Sequence, residues 1–271
     1  MPYVNGLYYE EHGSRFGELL ILVSGLGGSA DYWKPNMAAL APPQFTRDRE
    51  YRVIVFDQRG TGRSERTISD TPTIEAIAED ILSLIQELRV PYANILGHAI
   101  GGMAGMVAAI AEPSRVKRLI VVNGWARADA YTRRCFNTRL KLLKAGGPRD
   151  YIHAQPIFLY TPHWTSDHDA ELAAEEDHLI AALPDLRILE RRIADALAFD
   201  ISRDISRITS KTLLIASEDD ALVPLSCSER IWSGMTNNVD RNMERMRWGG
   251  HACNVTQPDT FNKLVLDFLG S

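Results

Sequence analysis

A chain of 271 residues and 30.3 kDa is long enough to bury a sizeable core, and 45% hydrophobic with 24% charged residues is the balance of an ordinary globular protein. A net charge of −5 removes the electrostatic reason to expect nucleic acid or an anionic membrane as a partner. Three scattered cysteines, Cys135, Cys227 and Cys253, fit neither a disulfide framework nor a zinc site.

The first residues carry no leader pattern and no apolar run has membrane length, so the expected address is the cytoplasm. Short apolar runs then alternate with helical patterns, the mark of β–α–β units around a mostly parallel sheet. Strands are expected near 6–11, 19–24, 52–57, 92–97, 118–123, 212–217 and 243–247. Leu19–Val23 and Leu119–Val122 are unbroken apolar runs, as strands covered on both faces should be. Ile74, Ile77, Ile81, Leu84 and Leu88 repeat at helical spacing, with Thr73 as N-cap and Pro91 as the stop. Between about Trp125 and Ser210 the rhythm breaks into helical patterns, among them 175–183 and 186–197. The expected organisation is a core over 1–124, a helical cap over 125–210 and the rest of the core over 211–271. The cap should lie over the carboxyl edge of the sheet, where open α/β sheets bind ligands.

Chemistry concentrates at that edge. Gly97-His98-Ala99-Ile100-Gly101 follows a strand and opens a helix, which matches the nucleophile elbow, with glycines where side chains would collide. Its central residue is Ala99, not a nucleophile. Beyond the strand at 212–217 stand Asp219 and Asp220, either of which could be the acid. After the last strand, His251 stands where a general base belongs. The order elbow, acid, histidine is that of the α/β-hydrolases. Ser24-Gly25-Leu26-Gly27-Gly28 follows an early strand, and the backbone N–H groups of Leu26 and Ile100 could together form an oxyanion hole.

Other conspicuous residues read more plainly. The Asp57–Gly62 turn is structural through Asp and Arg, and His98 packs or bonds locally. His153, His163, His168 and His178 lack metal-ligand spacing, Cys253 reads as an inert buried thiol, and Ser24 as a structural or substrate contact. No metal and no cofactor is expected.

These motifs resemble the α/β-hydrolase superfamily: a mostly parallel sheet flanked by helices, with a helical cap inserted after strand six. Ser24–Ser29, Gly97–Ala99, Asn123–Trp125, Thr132–Phe136, Ala154–Tyr160 and Gly249–Thr256 further resemble the RutD family of the Rut pyrimidine-degradation pathway. That resemblance implies action on carbamate or aminoacrylate with release of ammonia, and some members also carry alanine at the elbow. It favours Asp220 as the acid, four residues before Pro224, with Asp219 as the fallback.

A methyl group cannot attack a carbonyl, so no acyl-enzyme forms at Ala99. Three readings follow: a hydrolase in which His251, oriented by Asp220, activates water; a non-catalytic binding protein of the same fold; or an engineered Ser-to-Ala variant of a serine hydrolase. The expected partner is a small anionic substrate, with the protein a monomer or homodimer. Trp125, Arg133, Arg134 and Ser24 are the expected substrate contacts. Adjacent helical residues point about 100° apart, so one of the two arginines should face the pocket.

Overall fold

The computed structural model describes residues 3–42, 51–65, 73–235 and 240–271. Among these residues eight strands form: β1 (Tyr3–Val4), β2 (Leu7–Gly13), β3 (Glu18–Val23), β4 (Tyr51–Phe56), β5 (Ala93–His98), β6 (Val116–Val122), β7 (Lys211–Ser217) and β8 (Arg241–Met246). They form one sheet in the order β1-β2-β4-β3-β5-β6-β7-β8. β1, β2 and β4 pair antiparallel; from β4 onward the sheet is parallel. All seven expected strands are present within one or two residues. The two-residue β1 is too short to leave a pattern.

Alternation along the central strands splits the core. Leu19, Ile21, Val23, Ile95 and Val121 face one side of the sheet, and Leu20, Leu22, Leu96, Ile120 and Val122 the other. The first side is covered by α2 (Ile74–Glu87) and α3 (Ile100–Ala111), the second by α1 (Lys34–Leu40) and α11 (Pro258–Gly270). α9 (Leu225–Gly234) packs along β7, and the short α10 (Cys253–Thr256) precedes α11. Full burial of each Leu or Ile contributes about 1.5–3 kcal/mol, which makes these two layers the main source of stability. Thr73 caps α2 by accepting from the Ala76 amide at 3.1 Å, as expected. The stop differs: α2 ends before Pro91, where Arg89 takes a left-handed φ of 54° and its amide bonds back to the Gln86 carbonyl at 3.0 Å.

Between β6 and β7 lies the helical insert: α4 (Ala130–His153), α5 (Gln155–Leu159), α6 (Pro162–Asp167), α7 (Asp169–Ala182) and α8 (Leu186–Ala198). α4 breaks at Gly147, φ 76° and ψ −167°. The insert's two ends meet in a backbone bridge between Arg127 and Asp200, supported by the Ile201 amide on the Ala126 carbonyl at 3.0 Å.

Candidate active site

β5 runs directly into a strained turn. Ala99 has φ 49° and ψ −114°, a conformation that costs a residue with a β-carbon about 1–3 kcal/mol. The turn is over-determined: the Ala99 amide donates to the Val122 carbonyl at 2.8 Å, and its carbonyl accepts the first turn of α3 from Met103 at 3.0 Å. Neighbouring backbone leaves no room for side chains. A Cβ on Gly97 would strike the Gly101 carbonyl, and one on Gly101 would strike the Val23 carbonyl. The Ile100 amide opens α3, and the Leu26 amide lies in the loop after β3; neither has a hydrogen-bond acceptor among the described residues. Gln58 Nε2 steadies that loop by donating to the Ser24 carbonyl at 2.8 Å. Ser24 itself is buried, with an unpartnered Oγ, and lines the cavity beside Ala99.

His251 follows β8 on the next loop. Its Nδ1 lies 2.8 Å from Asp220 Oδ2, with both side chains buried. Asp220 Oδ1 accepts from the amides of Leu222 and Val223 at 2.7 and 2.8 Å, so its two oxygens are fixed from opposite sides. A carboxylate accepts, so Nδ1 carries a proton, and the neutral ring presents a lone pair at Nε2. That Nε2 has no hydrogen-bond partner among the described residues. Asp219, the fallback acid, is half-buried and does not reach the imidazole. It accepts from the amides of Gly249 and Gly250 at 3.3 and 2.9 Å and so shapes the loop ahead of His251.

Two residues hold this loop from behind, Asn123 and His98, the latter expected only to pack or bond locally. Asn123, at the end of β6 with φ 48°, donates from Nδ2 to the His251 carbonyl at 2.7 Å and accepts from the Ser217 amide at 3.1 Å. His98 Nε2 lies 2.9 Å from the same carbonyl; a carbonyl only accepts, so this nitrogen is the N–H. Burial, and secondly His251, holds the His98 pKa well below the usual imidazole range, so the ring stays neutral. Burial likewise pushes the Cys253 thiol up to about 12, where it carries no thiolate.

These groups surround a cavity of about 140 Å³ roofed by the insert. Trp125 lines it, fully buried, with its Nε1 spent on the Ala196 carbonyl at 3.2 Å. The expectation for Arg133 and Arg134 fails, because both are exposed and neither lines the cavity. The buried face of α4 runs through Thr132, Cys135, Phe136, Arg139 and Leu143, which leaves 133 and 134 outside. Arg139 is the arginine that reaches the cavity. A helical phase counted from Cys135 and Phe136 would have found it, since 139 lies four and three residues on. In the turn after β4, Asp57 pairs with Arg63 at 2.8 Å, while Arg59 turns to Asp80 at 2.9 Å. The insert's histidines lie away from this site: His153 and His163 are exposed beside Glu176 and Asp167, His178 is exposed, and His168 stacks on Trp164.

A strained elbow, a buried His–Asp pair and two open amides at the carboxyl edge of a parallel sheet define a class, and the chain belongs to it: residues 18–252 match the α/β hydrolase fold family. Within that family it is 44% identical over 268 residues to a protein of Caulobacter vibrioides named "Putative carbamate hydrolase RutD", covering 98% of this chain and 96% of that one. A Variovorax paradoxus protein of the same name is 42% identical over 263 residues, covering 97% and 96%. Among solved structures, the enol-lactonase from Burkholderia xenovorans LB400 superposes with a TM-score of 0.85 at 24% identity, covering 99% of this chain and 98% of that one. That likeness shows the fold alone.

Proposed function

We propose that this chain is a RutD-type small-molecule hydrolase that cleaves the C–N bond of carbamate or aminoacrylate, small anions of pyrimidine catabolism, by direct attack of water. The observation that carries the reading is the His251–Asp220 pair at 2.8 Å, kept buried and oriented beside an elbow that holds alanine. His251 Nε2 takes a proton from water, and the hydroxide adds to the electrophilic carbon. The N–H groups of Leu26 and Ile100 receive the charge that develops on oxygen. Collapse of the adduct breaks the C–N bond, and His251 returns the proton to the departing nitrogen, which leaves as ammonia. The methyl group of Ala99 leaves the space that a serine hydroxyl would fill. Its strained backbone still serves, since it aims the Ile100 amide. Oxyanion donors and binding alone retain roughly 10³–10⁴-fold over water in serine-enzyme knockouts, and a positioned base adds about 10²–10⁴-fold. Those factors suit a small, labile substrate better than an unactivated amide.

Ammonia release from carbamate tests the reading. His251→Ala should lower kcat by about 10²–10⁴-fold with the fold intact, and Asp220→Asn should lower it strongly by favouring the wrong tautomer. Unaltered rates in both variants overturn the water mechanism. A wild-type protein that binds carbamate without releasing ammonia is a binding protein instead.

A further inference from the structure

Arg139 is only 4% exposed, lies on the inward face of α4 and lines the cavity that holds Ala99 and His251. Its Nη2 donates to the Tyr151 hydroxyl at 2.8 Å and to Gln155 Oε1 at 3.3 Å. Nε and Nη1 have no hydrogen-bond partner among the described residues, and no carboxylate pairs with the group. The rings of Phe136, Tyr151 and Phe158 stand 5.8, 4.9 and 5.7 Å from the guanidinium carbon. Aromatic faces attract the charge but do not take the remaining in-plane N–H groups. Among the described residues no aspartate or glutamate lines the cavity. A buried cation without a counter-ion is costly, and here it borders a space about the size that holds a benzene-sized molecule.

We propose that Arg139 is the anion-binding group of this cavity, taking the carboxylate of a small monoanion from the insert side while the elbow and His251 face it from the sheet side. That this anion is a substrate rests on the hydrolase reading; its binding does not. The competing account is a cross-link, in which Arg139 only ties α4 to Tyr151 and Gln155.

Acetate and its neutral isostere acetamide separate the two accounts when titrated against the full chain. The wild type should bind acetate about 10-fold or more tighter than acetamide, and the Arg139 Nε–H resonance should shift on adding acetate. Arg139→Gln should bring that ratio close to one and raise KM for carbamate or aminoacrylate about 30-fold, with kcat changed far less. Tyr151→Phe, which keeps the charge and removes one anchor, should keep the acetate preference. No preference in the wild type, an unmoved Arg139 resonance, or a preference that survives Arg139→Gln overturns the proposal. The wild-type readings decide the matter even if the variant fails to fold. Acetate binding at Arg139 without ammonia release would sink the hydrolase reading and leave this site standing, whereas turnover without acetate preference does the reverse.

Discussion

The insert carries two buried arginines, and they are spent in opposite ways. Arg192 of α8 is 2% exposed and Arg139 of α4 is 4% exposed, so burial does not distinguish them. Neither pairs with a carboxylate among the described residues. Arg192 Nη1 reaches the Leu26 carbonyl at 3.2 Å and Thr61 Oγ1 at 2.9 Å, and its Nη2 reaches the Arg59 carbonyl at 2.6 Å. Burial without an acidic partner lowers its pKa to about 10, still a full charge at neutral pH. Arg192 thus clasps the Leu26 loop that lines the cavity, and Asp195, one turn along α8, takes the Ile74 amide at the start of α2 at 2.8 Å. α8 is fastened to the core, whereas Arg139 of α4 lines the cavity with its Nη1 unspent among the described residues. Each keeps an unpartnered Nε, so what separates them is that both Nη groups of Arg192 are engaged, whereas Arg139 uses only Nη2 and lines the cavity.

Breaking the clasp should give the largest effect on stability. Arg192→Met leaves two carbonyls and a hydroxyl without their donor and should cost about 2–4 kcal/mol, read as a lowered denaturant midpoint, whereas Arg139→Gln should cost less than half of that. Equal losses would erase the distinction between the two helices. The fixed side can next be probed by pH. His98 stays neutral in the folded protein while the unfolded chain protonates it below about pH 6.5, so stability should fall as pH drops below that value. The slope from this one group is at most about 1.4 kcal/mol per pH unit. His98→Gln should flatten the loss between pH 6.5 and 5 relative to wild type; an unchanged acid limb would show that the ring is not the titrating group. The smallest effects belong to the outer face of α4. Arg133→Ala and Arg134→Ala should each stay within about 0.5 kcal/mol in stability and leave KM unchanged. A raised KM in either would return the anion contact to that face.

What could be read from the sequence was what backbone geometry forces. The turn at Ala99 tolerates only glycine at 97 and 101, because the atoms they approach are carbonyls that cannot move, and so the elbow is visible as spacing. His251 and an acid at 219 or 220 follow from chain order, the family resemblance favours Asp220, and the central strands follow from apolar runs buried on both faces. What stayed open or was missed lies where tertiary contacts decide. Asp219 and Asp220 are neighbours with the same chemistry, and their different partners, two glycine amides against an imidazole, come from loops some 30 positions on. Arg133 and Arg134 stand at the start of α4, where the eye falls first, but the phase of that helix is set by Cys135 and Phe136 packing inward. Arg192 sits in an amphipathic pattern that reads as surface charge, and only the loops it clasps give it a purpose.

The bridge between Arg127 and Asp200 gives the insert a property of a different kind. A segment that leaves and re-enters the sheet at one point is a cassette: its length and contents can change while the splice stays the same. The strands on either side, β6 and β7, are already hydrogen-bonded neighbours from Arg118 with Lys211 to Val122 with Ile215, so the sheet is closed without it. The His251–Asp220 pair stays with the sheet and Arg139 travels with the cassette. Evolution could therefore exchange what the pocket accepts, in one piece, without disturbing what it does.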